Sequence, residues 1–143
     1  MTARSLGDAL ASIAGREHVL QDGATRTRFA VDGLEPRWVA RPASLDEVGR
    51  LLALAHDAGL AVVPRGGGTD LELGRPPARA DLVLDLARLD RIVDHNPDDL
   101  TITVEAGVTV GALAARLAAH RQFLPLDPPG AAARTLGGIA ATN

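Results

Sequence analysis

The densest chemistry in the chain is the run Arg65-Gly66-Gly67-Gly68-Thr69-Asp70, which follows a strand-like stretch ending in Pro64. Glycine has no Cβ, so its backbone reaches positive φ freely and a ligand can come right against the main chain. Successive N–H groups in such a loop can turn inward as a nest for an anion. Arg65 adds a fixed positive charge beside the loop and Thr69 a hydroxyl donor. A pyrophosphate is the natural occupant. The spacing departs from the common dinucleotide fingerprint, because counting from Gly66 puts the third glycine position on Leu71. A plain flexible turn would use the same residues.

A second glycine cluster, Pro129-Gly130 with Gly137-Gly138, lies far along the chain and flanks apolar segments of its own. Two glycine loops meeting on one ligand suit a long, extended cofactor better than a small substrate. Close helix–strand packing would also account for Gly137 and Gly138 taken alone.

The absent residue types narrow the chemistry. The chain has 143 residues, enough for one small domain, and its 46% hydrophobic and 23% charged content is ordinary for a globular protein. Cys is absent, which removes disulfides, a thiol nucleophile, thiolate zinc and iron–sulfur ligation. Every one of the 15 basic residues is Arg, so there is no phosphate-loop or Schiff-base Lys. Ser5, Ser12 and Ser44 fit no nucleophile elbow. His18, His56, His95 and His120 are scattered, and no metal site is expected. A net charge of −3 argues against a nucleic-acid partner. The longest apolar run, Leu51 to Ala55, is far too short for a transmembrane segment, so the expected location is cytoplasmic. Asp94, Asp98 and Asp99 read as solvated turn acids and Asp127 as a turn cap; no catalytic residue is assigned.

These loops need elements to hold them. Residues 1–15 read as a short amphipathic helix carrying Leu6, Leu10, Ile13 and Ala14, and Arg16 to Pro36 as an irregular surface lead-in. Trp38 to Ala40 reads as a strand. Ser44 and Glu47 form a capping box for a helix with apolar positions at Leu45, Val48, Leu51, Leu52, Ala55 and Ala58, stopped by Gly59. Leu60 to Val63 reads as a buried strand and Leu82 to Leu84 as another. Arg91–Asp94 and Leu100–Glu105 read as a hairpin, Thr109 caps a helix using Leu113, Leu117 and Ala118, and Phe123 to Pro125 reads as a short strand. Helices alternate with short strands, giving a mixed α+β fold with small sheets and flanking helices.

The order of these blocks carries a resemblance. Val39-Ala40-Arg41-Pro42-Ala43-Ser44, Val62-Val63-Pro64-Arg65-Gly66-Gly67-Gly68-Thr69 and Leu82-Val83-Leu84-Asp85-Leu86 come first. Leu89-Asp90-Arg91-Ile92, Thr103 to Val108, Leu126 to Gly130, Thr135-Leu136-Gly137-Gly138 and Ala141-Thr142-Asn143 follow. From residue 36 to 143 the chain resembles the FAD-binding (PCMH-type) domain of the FAD-linked oxidases, the superfamily of vanillyl-alcohol oxidase and p-cresol methylhydroxylase. Within it the chain looks most like a glycolate oxidase FAD-binding subunit, with residues 1–35 as a lead-in.

The resemblance implies roles. Pro64, Arg65, Gly66, Gly67, Gly68, Thr69 and Asp70 would wrap the FAD pyrophosphate. Pro129, Gly130, Thr135, Gly137 and Gly138 would line the phosphates and the flavin end, and Asn143 would close the site. Some relatives attach FAD through a His aligning with Thr69, so a Thr there implies a non-covalent flavin. The intact enzyme would oxidise a 2-hydroxy acid such as glycolate or D-lactate. The family's cap domain, which carries substrate and acid/base residues, has no counterpart in these residues. The chain is therefore expected to be part of such an oxidoreductase, or else a non-catalytic FAD-holding or scaffolding subunit in an oxidase complex.

Overall fold

The computed structural model describes residues 3–126 and 128–142, which fall into two compact units. Unit 1 comprises residues 1–65 and 71–88, and unit 2 residues 66–70 and 89–143.

Unit 1 is built on a four-stranded sheet. Its strands are β1 (Val19–Leu20), β2 (Trp38–Ala40), β3 (Val62–Arg65) and β4 (Leu82–Asp85), in the order β1-β2-β4-β3. β2, β4 and β3 run parallel, and β1 pairs antiparallel with β2. Alternation along the strands sorts the side chains between the two faces. Trp38, Ala40, Leu82 and Leu84 pack with Leu6, Leu10 and Ala14 of α1 (Ala3–Ala14) and with Leu51 and Ala55 of α3 (Leu45–Asp57). On the opposite face Val39 and Val83 pack with Val31, Phe29 and Leu71. The lead-in is thus part of this unit's core rather than a surface preface. Its α2 (Gly23–Arg28), which composition did not reveal, starts on Asp22, whose side chain accepts the Thr25 N–H at 2.9 Å.

Helix α3 follows its sequence signals closely. The Ser44 hydroxyl accepts the Glu47 N–H at 3.2 Å, and the Glu47 carboxylate reaches back to the Ala43 N–H at 2.7 Å. At the other end Gly59 sits at φ +64, and the amides of Gly59 and Leu60 return to the carbonyls of His56 and Ala55. That pair of bonds is a Schellman stop. Leu45 and Leu52, expected on the apolar face, point to solvent instead. β3 differs from expectation too. It begins two residues later, lies at the sheet edge and is half-buried, whereas β4 between two neighbours is buried throughout.

Unit 2 carries the hairpin β5 (Ile92–Asn96) and β6 (Thr101–Val104), followed by α4 (Val110–Ala118) and α5 (Leu136–Thr142). Val108, Leu113 and Leu117 form its core with Ile102, Val104, Leu124 and Leu136 around them. The Thr109 hydroxyl accepts the Ala112 N–H and caps α4 as expected. Glu105 takes three donors from Arg91: its backbone N–H at 2.9 Å, Nε at 3.1 Å and Nη2 at 2.7 Å. Those bonds hold the Glu105 carboxyl below its ordinary pKa. No strand forms at Phe123–Pro125, and Phe123 is 80% exposed. A strand needs a partner edge, and none of the described strands pairs with this segment.

Candidate functional site

The two glycine clusters meet inside unit 2. Gly66 faces the Thr135 side chain so closely that a Cβ there would collide with Oγ1. A Cβ at Gly67 would stand 2.8 Å from the Ala133 carbonyl oxygen. These two glycines are therefore required by the approach of residues 133–135, and only Gly68 uses the left-handed region, at φ +72. The expected ligand cradle and the expected packing glycines prove to be one arrangement.

The segment that receives the loop is strapped in place. Thr109 and Thr135 form an isolated antiparallel bridge, with Val110 donating to the Arg134 carbonyl and Leu136 to the Val108 carbonyl, each at 2.9 Å. Thr135 is buried, and its hydroxyl accepts the Gly138 N–H at 3.3 Å, capping α5. Gly137 donates to the Ala106 carbonyl at 2.9 Å, and a Cβ there would come within 2.7 Å of the Ala106 methyl. Close packing thus accounts for Gly137. Gly130 turns at φ +68 and has open space where a Cβ would stand.

Charge closes the arrangement. Arg134 donates through Nη1 to the Asp70 carboxylate and through Nε to the Pro129 carbonyl at 2.7 Å. The Thr69 hydroxyl donates to the same Asp70 oxygen at 3.2 Å. Both ends of the Asp70–Arg134 pair are only 16% exposed. Arg134 carried no signal in the sequence; an acid on one glycine loop facing a base beside the other would have been the clue.

Two expected site residues lie in unit 1. Pro64 is exposed on β3, paired in register with Leu84. The Arg65 guanidinium donates to the Arg28 carbonyl at 3.2 Å and lies 4.3 Å over the Phe29 ring. Burial pulls its pKa below the ordinary value, Arg28 adding to the shift and Asp85 opposing it. This side chain is engaged within unit 1. Asn143 lies outside the described residues.

What remains free is the loop's own main chain. Among the described residues no protein acceptor takes the N–H of Gly66, Gly67, Gly68, Thr69 or Asp70. Five consecutive amides without a protein partner need water or a ligand, and a diphosphate offers the matching acceptors. The residues fit that group.

Comparison with known proteins follows the same lines. A domain family described as FAD binding domain matches residues 36–143. The D-2-hydroxyglutarate dehydrogenase of Xanthomonas citri pv. viticola is 39% identical over 110 residues, covering 76% of this chain and 23% of that protein. The glycolate oxidase subunit GlcD of Bacillus subtilis is 28% identical over 143 residues, covering 96% of this chain and 30% of its own length. The matched part of the chain thus spans less than a third of these curated relatives, 23% of one and 30% of the other. Among solved structures, an alkyldihydroxyacetonephosphate synthase superposes with TM-score 0.80 at 22% identity, over 96% of this chain and 31% of that one. The p-cresol methylhydroxylase solved with substrate bound gives TM-score 0.79 at 16% identity, over 91% of this chain and 27% of that one. These two superpositions establish the fold.

Proposed function

The chain belongs to the FAD-binding domain family, and from that premise we propose that it holds the FAD of an oxidoreductase acting on a 2-hydroxy acid such as glycolate or D-lactate. The observation that carries the cofactor site is the run of five amides at 66–70 without a protein partner among the described residues, packed against Ala133–Thr135. The amides of Gly66 to Asp70 hold the diphosphate, and the Thr69 hydroxyl stands beside them. Gly130 leaves open backbone on the facing turn, while Thr135, Gly137 and Gly138 fix the wall that the loop leans on. Asn143 is retained as the residue closing the site. Arg65 acts through its place at the loop's start. The cofactor-binding part is residues 36–143, with residues 1–35 completing the core of unit 1.

The substrate class rests on the relatives' names, D-2-hydroxyglutarate dehydrogenase and glycolate oxidase subunit among them. When bound, the flavin supplies the hydride acceptor for a substrate C–H bond. This chain's part is to bind and orient; no residue of it is assigned to proton transfer. Other subunits of an oxidase complex are proposed as partners, and the cytoplasm as the location. No helix among the described residues is long and apolar enough to cross a membrane.

With Thr69 at the loop, the flavin is proposed to be non-covalent. A thermal melt with FAD, and with FMN as control, tests the site. A ligand that binds only the folded form stabilises it, by about 2.7 kcal/mol at a hundredfold excess over its dissociation constant. A shift with FAD and none with FMN supports the reading, and an unchanged midpoint with both overturns it. Acid precipitation of the loaded protein should leave all flavin in the supernatant; yellow colour retained in the pellet would contradict non-covalent binding.

A further inference from the structure

Asp70 poses a problem for any anion cradle. It sits on the same loop as the five unpartnered amides, one residue beyond Thr69, and an ionised carboxylate there opposes a diphosphate. The charge is nevertheless mostly withdrawn from solvent, at 16% exposure. Arg134 is the group that resolves this. It is equally enclosed, donates to Asp70 through Nη1, and is anchored through Nε to the Pro129 carbonyl. One guanidinium therefore touches both glycine turns of unit 2 and cancels the acid between them.

We infer that Arg134 is a positioning residue for the anionic cofactor. It is the counter-charge that makes Asp70 compatible with a diphosphate, and it ties the Gly66–Asp70 loop to the Pro129–Gly130 turn. The inference rests on the proposed cofactor site. It adds a residue outside the glycine motifs and gives it a charge role with a definite sign.

The sign separates this role from a merely structural tie. If the pair only braces the loop, removing either partner weakens FAD binding alike. If Arg134 neutralises Asp70, the two removals differ. Arg134→Ala leaves an uncompensated carboxylate in the cradle and should raise the FAD dissociation constant about tenfold or more. Asp70→Asn keeps a side-chain oxygen for the Arg134 donor and removes the negative charge, so affinity should stay within about threefold of the parent or improve. The double variant Asp70→Asn/Arg134→Ala should bind more tightly than Arg134→Ala alone, and Arg134→Lys should recover part of the loss.

The experiment is FAD titration of the full chain and these four variants at low and high salt, with melting curves recorded without ligand. The ligand-free melts show which variants are folded. Arg134→Ala weakened, with the double variant recovering, supports the inference. Equal weakening by Asp70→Asn and Arg134→Ala overturns it, as does parental affinity in Arg134→Ala. Should Arg134→Ala fail to fold, Asp70→Asn and the double variant decide: affinities within about threefold of each other support the charge role, because Arg134 then has no acid to cancel, and a much weaker double variant overturns it. A parent that does not bind FAD overturns the cofactor site itself, and this inference with it.

Discussion

Gly66 lies against the side chain of Thr135, with no room between them for a methyl group. The contact joins the two glycine clusters, which are separated by more than sixty residues in sequence, and it makes part of the motif a packing requirement. A glycine loop can thus be demanded by the protein before any ligand arrives.

Gly67→Val tests this directly. The loop chemistry alone suggests lost FAD binding on an otherwise intact fold. With Ala133 oxygen 2.8 Å from the new Cβ, stability should fall as well, by about 1–3 kcal/mol for an overpacked site. Denaturant unfolding of the ligand-free variant measures it, and parental stability would show that the two segments separate at little cost.

Asp85 was not singled out by its sequence context, yet it is buried at the end of β4. It accepts Arg41 Nε at 3.0 Å and the Ala87 N–H at 3.1 Å. Asp85→Ala strands both donors and should cost about 2–3 kcal/mol. Chemical denaturation is the measurement; a loss below half a kilocalorie would mean that water replaces the carboxylate.

Glu105 gives a pH dependence with a definite sign. Arg91 lowers its pKa in the folded chain, so the unfolded chain takes up the proton first as pH falls. The contribution is present above the unfolded glutamate value and is lost as pH drops through the lower folded value. Glu105→Gln should therefore flatten the acid limb of the stability curve between about pH 5 and pH 3. An unchanged limb would place the proton uptake elsewhere, for instance at Asp22, which is also held low, by Thr25.

Ser44→Ala removes the acceptor at the start of α3 and should destabilise unit 1 by about 1 kcal/mol, measured by its melting midpoint. Ser44→Asp, which restores an acceptor beside the helix N-terminus, should recover the loss.

Local signals were legible where one residue decides the geometry. Ser44, Glu47, Gly59 and Thr109 each set a helix end through bonds to atoms a few residues away, and each does so here. Charge and burial decided by distant partners were not legible. Nothing near Leu60–Val63 shows that its strand becomes an edge, since that depends on the order β1-β2-β4-β3. Phe123–Pro125 has strand-like residues yet pairs with none of the described strands. The meeting of the two glycine clusters was expected, and so was close packing at Gly137; that Gly66 and Gly67 would be filled by protein atoms was not, because their neighbours come from remote positions.

Pro64 has a consequence for how copies of the chain behave toward one another. The carbonyls of Ala61, just before β3, and of Arg65 at its end are taken by the amides of Leu82 and Leu86, so by alternation Pro64 presents its backbone to the open side. That side lacks a donor exactly where an incoming strand would seek one, and Arg65 places a charge next to it. The opposite margin, β1, is only two residues long. A mixed sheet this small could recruit strands from its neighbours and grow into fibres; both of its borders are poor templates for that growth.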